Sequence, residues 1–262
     1  MASVLSTPQS RTDHGLDSRQ GMIKAASSAQ QLSNVEVMDL QLHDRVVLVV
    51  GGTGFIGSAI AKRARDEGAT VVVASRSGGD GIVMDARDEE SVVAAVAQVV
   101  ADFGRLDAVV VSAAPSAQTL DPARNSDPEQ VADAFDAKAL SFLRVANAAI
   151  PVMRAAGYGR IVGISGQNAL ITGNITGSIR NAALIIAAKN LADDLAGSGV
   201  TVMTVNPGTV SDTPATAVEP GRGGESSPTQ IADLVTFLIS PRSAISGESI
   251  AVGHRVRGVI GF

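Results

Sequence analysis

Val46-Val47-Leu48-Val49-Val50 runs straight into Gly51-Gly52-Thr53-Gly54-Phe55-Ile56-Gly57, and an Ala-rich stretch follows at once. A fully apolar strand, a glycine turn and a helix in immediate succession is the start of a βαβ unit, and few other folds accommodate it. Glycines at such a turn let the backbone approach a pyrophosphate closely, and the N–H groups opening the helix supply donors and a positive dipole end. Gly51, Thr53, Gly54, Phe55, Ile56 and Gly57 are therefore the candidate phosphate cradle. The glycines at 51, 54 and 57 are spaced Gly-x-x-Gly-x-x-Gly, not Gly-x-Gly-x-x-Gly, so a tight turn without a ligand stays open beside it.

From Arg45 onward short β-branched runs alternate with longer amphipathic stretches, the pattern of an α/β fold with a Rossmann-type, doubly wound parallel sheet in a single domain over 41–262. Seven strands are predicted, over Arg45–Val50, Thr70–Ala74, Ile82–Met84, Ala108–Ser112, Arg160–Ile164, Val200–Val205 and Ser249–Val252. Helices are predicted over Phe55–Glu67, Asp88–Phe103, Pro128–Ala156, about Gly177–Ala196 and Pro228–Ile239. Between Arg76 and Asp85 the turn composition Ser77-Gly78-Gly79-Asp80-Gly81 leaves no room for a helix, so that crossover is expected to be a bare loop. Residues 1–40, rich in Ser and Gln, read as a flexible N-terminal extension. The Thr209–Ser227 stretch, rich in Thr, Pro, Gly and Ser, reads as a mobile lid or a plain surface loop.

Composition removes several function classes. With 21 basic and 26 acidic residues the net charge is −5, which disfavours a nucleic-acid surface. There is no cysteine, hence no disulfide, thiolate nucleophile or Cys-ligated metal. His14, His43 and His254 are too scattered to suggest a metal motif. Six Phe, one Tyr and no Trp leave little for stacking on bases. No apolar run approaches the roughly 18 residues of a membrane span. No secretory signal is visible either, and the acidic Asp13, Asp17 and Glu36 weaken a transit peptide built on Arg11, Arg19 and Lys24. The expectation is a cytoplasmic protein with a small-molecule substrate and no nucleic acid, membrane or metal partner.

The second strand ends in Ser75-Arg76-Ser77. An acidic residue there would accept from the ribose hydroxyls of NAD, whereas Ser and Arg suit the 2′-phosphate of NADP, so NADPH is expected to be preferred over NADH; a solvated surface charge is the alternative for Arg76. Asp85 is placed to face an adenine amino group, with Ala86 offering backbone, although helix capping competes for an Asp in this position.

Several stretches in order, Leu106-Asp107, Pro151-Val152-Met153 before Gly159-Arg160-Ile161-Val162, Asn206-Pro207-Gly208, Ile231-Ala232 with Phe237-Leu238, and Ser246-Gly247-Glu248, join the glycine turn at matching spacings. Over roughly 42–255 the chain resembles the short-chain dehydrogenase/reductase family. The resemblance implies a seven-stranded sheet, a nicotinamide dinucleotide, and a homodimer or homotetramer built on the family's fourth and fifth helices, here 128–156 and the helix from about 177. It also places Ala113 and Ala114 after the fourth strand, and Pro207 and Gly208 after the sixth, beside the cofactor.

The family's reductases use a tyrosine acid, a lysine four residues later, a serine and an asparagine. Counting back from Asn206-Pro207-Gly208 puts the tyrosine position at Gly177 and the lysine position at Asn181; Lys138 stands at the asparagine position, and the serine corresponds to Gly166 or, one residue off, Ser165. The single tyrosine, Tyr158, lies before the fifth strand, at the wrong end for catalysis, and reads as structural. Candidate catalytic residues are therefore Ser165, Lys138, Asn181 and Arg180, with Gln167 and Asn168 as further neutral donors. Lys138 can bind ribose or donate a proton, or be a surface ammonium. The leading expectation is an atypical NADP(H)-dependent ketoreductase or dehydrogenase of a small hydrophobic carbonyl or alcohol with a nonstandard proton donor. A non-redox cyclase, dehydratase or isomerase, and a catalytically silent NADP-binding or partner-binding subunit, are the alternatives.

Overall fold

A strand covered on both faces must be apolar at every position, and β1 (Val46–Val50) is buried throughout. A computed structural model of the chain describes residues 38–115 and 119–259. The expected extension over 1–40 lies almost wholly outside them. Around β1 run β2 (Thr70–Ser75), β3 (Ile82–Val83), β4 (Ala108–Val111), β5 (Gly159–Ile164), β6 (Val200–Pro207) and β7 (Ser249–Val252). They form one seven-stranded sheet in the order β3-β2-β1-β4-β5-β6-β7, with every neighbouring pair parallel. The order reverses between β1 and β4, which opens a crevice at the carboxyl ends of those strands.

The helices are α1 (Phe55–Asp66), α2 (Glu89–Phe103), α3 (Pro128–Phe135), α4 (Ser141–Ala156), α5 (Ile175–Asp194) and α6 (Pro228–Leu238). The two-residue pleat sends Val46, Leu48 and Val50 to one face, where they meet Val92 and Val96 of α2, Phe142 and Val145 of α4 and Leu184 of α5. Val47 and Val49 face the other way, onto Ile60 and Ala64 of α1 and Ile231 and Val235 of α6. The sheet is thus covered on both sides, and the β2–β3 crossover is a bare loop as its glycines predict.

The long helix expected over Pro128–Ala156 is interrupted. Asp136–Leu140 forms a single π turn between α3 and α4. An extra residue in the turn displaces the side chains that follow it, and the Asp136 carbonyl accepts both the wide backbone bond from Ser141 N and the Ser141 Oγ at 3.1 Å. The Asp136 carboxylate is itself held by Arg87 at 2.7 Å and Arg144 at 2.8 Å. Lys138 sits in the middle of this turn and is buried.

The expected lid, 209–227, is stitched to the tail beyond β7. Gly224 N donates to His254 O at 2.7 Å, Gly221 N to Arg257 O at 2.9 Å and Arg257 N to Arg222 O at 3.0 Å.

Candidate functional site

The glycine turn has the shape its spacing promised. Gly51 adopts φ +79°, and a Cβ there would come within 2.6 Å of Ala113 N, so the turn lies directly against the strand-end segment after β4. A Cβ on Gly57 would overlap the Gly51 carbonyl. Gly54 caps α1 with no side-chain hydrogen bond, and no acidic residue occupies the first turn, which leaves the helix's opening N–H groups for an anion. Thr53, Gly54 and Phe55 are exposed there, and Ile56 is half-buried. The cradle fits a pyrophosphate.

At the end of β2, Ser75 Oγ and Ser77 Oγ are 3.4 Å apart, and Arg76 is exposed and, among the described residues, forms no ion pair. Asp85 uses one carboxylate oxygen on Arg87 N at 3.0 Å, and the cap of α2 is Asp88, so of the two roles weighed for this segment capping falls to Asp88. Ala86 is buried beside it. Pro207 closes β6, and Gly208 packs so tightly on Gly224 that a Cβ would overlap its carbonyl.

The four candidate catalytic residues converge. Lys138 Nζ donates to Ser165 O at 3.0 Å, and Ser165 Oγ donates to Asn181 O at 3.0 Å. Asn181 lies against Gly166, where a Cβ would meet its Nδ2 at 3.1 Å, and its Oδ1 is buried with no partner. Arg180 Nη1 donates to Pro115 O at 3.1 Å. All four side chains are buried. Burial, reinforced by the like charge of Arg180, pulls the Lys138 ammonium down to about 7. Burial also lowers Arg180.

Gly177, four residues before Asn181 on the same helix, could carry a side chain only if that of Asn174 shifted. A Cβ there would come within 2.7 Å of Asn174 Nδ2, because Asn174 caps α5 by accepting from Gly177 N at 2.8 Å. That cap escaped the sequence reading, although an Asn just before a helical run is the usual sign of one. Gln167 proves to be a tie and not a free donor: its Nε2 donates to Val252 O and His254 O, each at 3.2 Å. Tyr158 lies at the amino end of the sheet, its ring between the guanidinium groups of Arg45 and Arg160, each 4.4 Å from its centroid.

Residues 53–254 match the family model described as "Enoyl-(Acyl carrier protein) reductase", which covers most of the chain. The protein belongs to the short-chain dehydrogenase/reductases. Among similar members of that family is the 3-oxoacyl-[acyl-carrier-protein] reductase FabG of Vibrio cholerae, 29% identical over 81% of this chain and 97% of the relative. Another is the (2S)-[(R)-hydroxy(phenyl)methyl]succinyl-CoA dehydrogenase subunit BbsC of Thauera aromatica, 32% identical over 79% of this chain and 92% of the relative. The crystal structure of gox2181 superposes with a TM-score of 0.69 at 25% identity, covering 82% of this chain and 96% of that one. The two sequence relatives are named as a reductase and a dehydrogenase subunit, and the family's nicotinamide dinucleotide suits the glycine cradle described above.

Proposed function

We propose that the protein is an NADP(H)-dependent oxidoreductase that interconverts a small carbonyl compound and its alcohol, with Lys138 in place of the usual tyrosine acid. The observation that carries this reading is the π turn that delivers Lys138 Nζ to the carboxyl end of β5, 3.0 Å from Ser165 O. Among the described residues one of its three N–H donors is engaged, and an ammonium tuned to about 7 matches a proton donor working near neutral pH. The nicotinamide supplies or accepts the hydride when bound. In reduction Lys138 then gives its proton to the oxygen that becomes the alcohol, and water restores it; the side-chain amide of Asn181 orients the carbonyl. Arg76 supports NADP over NAD through the 2′-phosphate.

NADPH consumption with a panel of ketones and 3-oxoacyl thioesters tests this. Reduction is expected to fall as pH rises through about 7, where Lys138 loses its proton, and the reverse oxidation to rise. Lys138→Met is expected to lose roughly a hundredfold to ten-thousandfold in rate. No turnover in either direction with cofactor bound would defeat the proposal.

A second reading, a partner-binding subunit without chemistry of its own, is favoured by the commitment of Ser165 Oγ to Asn181 O and by a relative that is itself named as a subunit. Its mark would be cofactor binding unaffected by Lys138→Met and Ser165→Ala, together with co-purification of a second chain. We propose too that copies associate through α4 and α5, because Ile175, Ile179 and Ile186 leave an apolar stripe exposed along α5.

A further inference from the structure

Two cations, Lys138 and Arg180, are buried beside each other, and among the described residues neither is paired with a carboxylate. An uncompensated buried charge is among the costliest features a fold can carry, and natural proteins keep one where a ligand supplies the missing sign. Arg180 shows where that ligand would sit. Among the described residues its Nη1 alone is hydrogen-bonded, to Pro115 O, while Nε is buried with no partner. The edge formed by Nε and Nη2 is one of the two on which a guanidinium takes a carboxylate bidentately, and here it is free.

Arg180 forms part of the wall of a cavity of about 300 Å³, together with Pro115, Thr119, Leu120, Gln130 and Ala134. Three other charged residues line it, and each is already matched. Arg124 holds Asp127 at 2.6 Å and Glu129 at 3.5 Å, and Asp133 is held by Arg87 at 2.7 Å. Arg180 is the cavity's unmatched charge. Arg180 also lies near enough to Lys138 for its charge to act on that ammonium, so a group bound to the guanidinium sits beside the cluster of Ser165, Lys138 and Asn181.

We propose that this cavity binds the carboxylate of an acidic carbonyl substrate, held on the free edge of Arg180. Leu120, Pro115 and Ala134 would take the short apolar stem between carboxylate and carbonyl. The identity of the ligand as a substrate rests on the reductase reading above; its binding as a carboxylate does not.

Levulinate, a small ketone with a carboxylate, and its methyl ester, the same ketone without the charge, separate the possibilities when titrated into the full chain by calorimetry and thermal melting without turnover. Levulinate is expected to bind saturably and raise Tm, with the ester at least roughly tenfold weaker. Arg180→Gln is expected to bring levulinate down to the ester's level. Equal binding of acid and ester, levulinate binding unchanged in Arg180→Gln, or inorganic phosphate binding as tightly as levulinate would each overturn the proposal. Should Arg180→Gln fail to fold, Ala134→Glu tethers a carboxylate to the same wall. It is expected to melt above Ala134→Gln and to block levulinate, and equal melting with undiminished levulinate binding would overturn the proposal. Because binding is read without cofactor, a failed reductase assay with intact levulinate binding defeats only the reductase reading, and the converse defeats only this one.

Discussion

Arg76 follows the end of β2 and Lys138 sits mid-way in the π turn, and the surroundings give these two cations opposite characters. Arg76 is exposed and unpaired among the described residues, so its guanidinium is available at little cost to a phosphate on the neighbouring ribose. Arg76→Ala is expected to weaken NADPH binding roughly tenfold or more while leaving NADH within about twofold, which a fluorescence titration of both nucleotides would read. Lys138 is buried, and its folded-state value near 7 lies below the roughly 10.4 of an unfolded lysine. Between those values the unfolded chain binds the extra proton, so stability rises with pH across that window and the penalty is fully present below it. The Lys138→Met variant should therefore be inactive and yet more stable at neutral pH, by about 1–4 kcal/mol. A variant that merely misfolded would lose both. Sequence spacing located these two residues, since strand ends and family positions are countable. It could not tell which way Lys138 points, because that depends on the extra residue wound into Asp136–Leu140.

Among the elements, α5 and the helix broken by the π turn carry most of what is unusual. The strands are legible because each is a short run dominated by apolar residues, and their ends move by only a residue or two between expectation and structure. The π turn is not, because Asp-Ala-Lys-Ala-Leu is ordinary helical composition and nothing local announces a change of winding; the hydroxyl of Ser141 on the Asp136 carbonyl becomes a signal only once the turn is seen. The helix α5 begins at Ile175, two residues before the start expected at about Gly177, because Asn174 caps it. Along that helix Ile175, Ile179 and Ile186 share one exposed stripe, with Ile186 62% exposed. If α5 meets α5 of a second copy, Ile186→Glu places two carboxylates in an apolar seam. Sedimentation is expected to show the variant as a smaller species than the parent, with the helical circular dichroism unchanged; an identical mass would exclude this face as the seam.

At the scale of the whole molecule the parallel sheet separates two kinds of charge. The carboxyl ends of β1, β2, β4 and β5 carry the glycine turn, Arg76 and the Lys138–Arg180 pair, while the amino ends carry a closed network whose business is stability. There Asp107, buried, accepts from Arg105 at 2.7 Å, from Arg45 at 2.9 Å and from Val46 N at 2.9 Å. Burial alone would raise its carboxyl, but the Arg105 side chain, the Val46 N–H and Arg45 outweigh it and hold the group below the usual range. A depressed carboxyl gives stability that is present above its unfolded value, near 4, and lost as pH falls through the folded one. Asp107→Asn is expected to cost about 3 kcal/mol in urea melts at neutral pH and to flatten the acid limb of the stability curve, without changing cofactor affinity. The carboxyl side of the sheet is closed differently, by a backbone seam between Gly221–Gly224 and His254–Arg257, with Gln167 reaching from the end of β5 to the last carbonyl of β7 and to that of His254 in the tail. Loop, tail and the end of β5 therefore behave as one mechanical part. A change at His254 or Arg257 would therefore be felt at Gly221–Gly224 and at the end of β5 together.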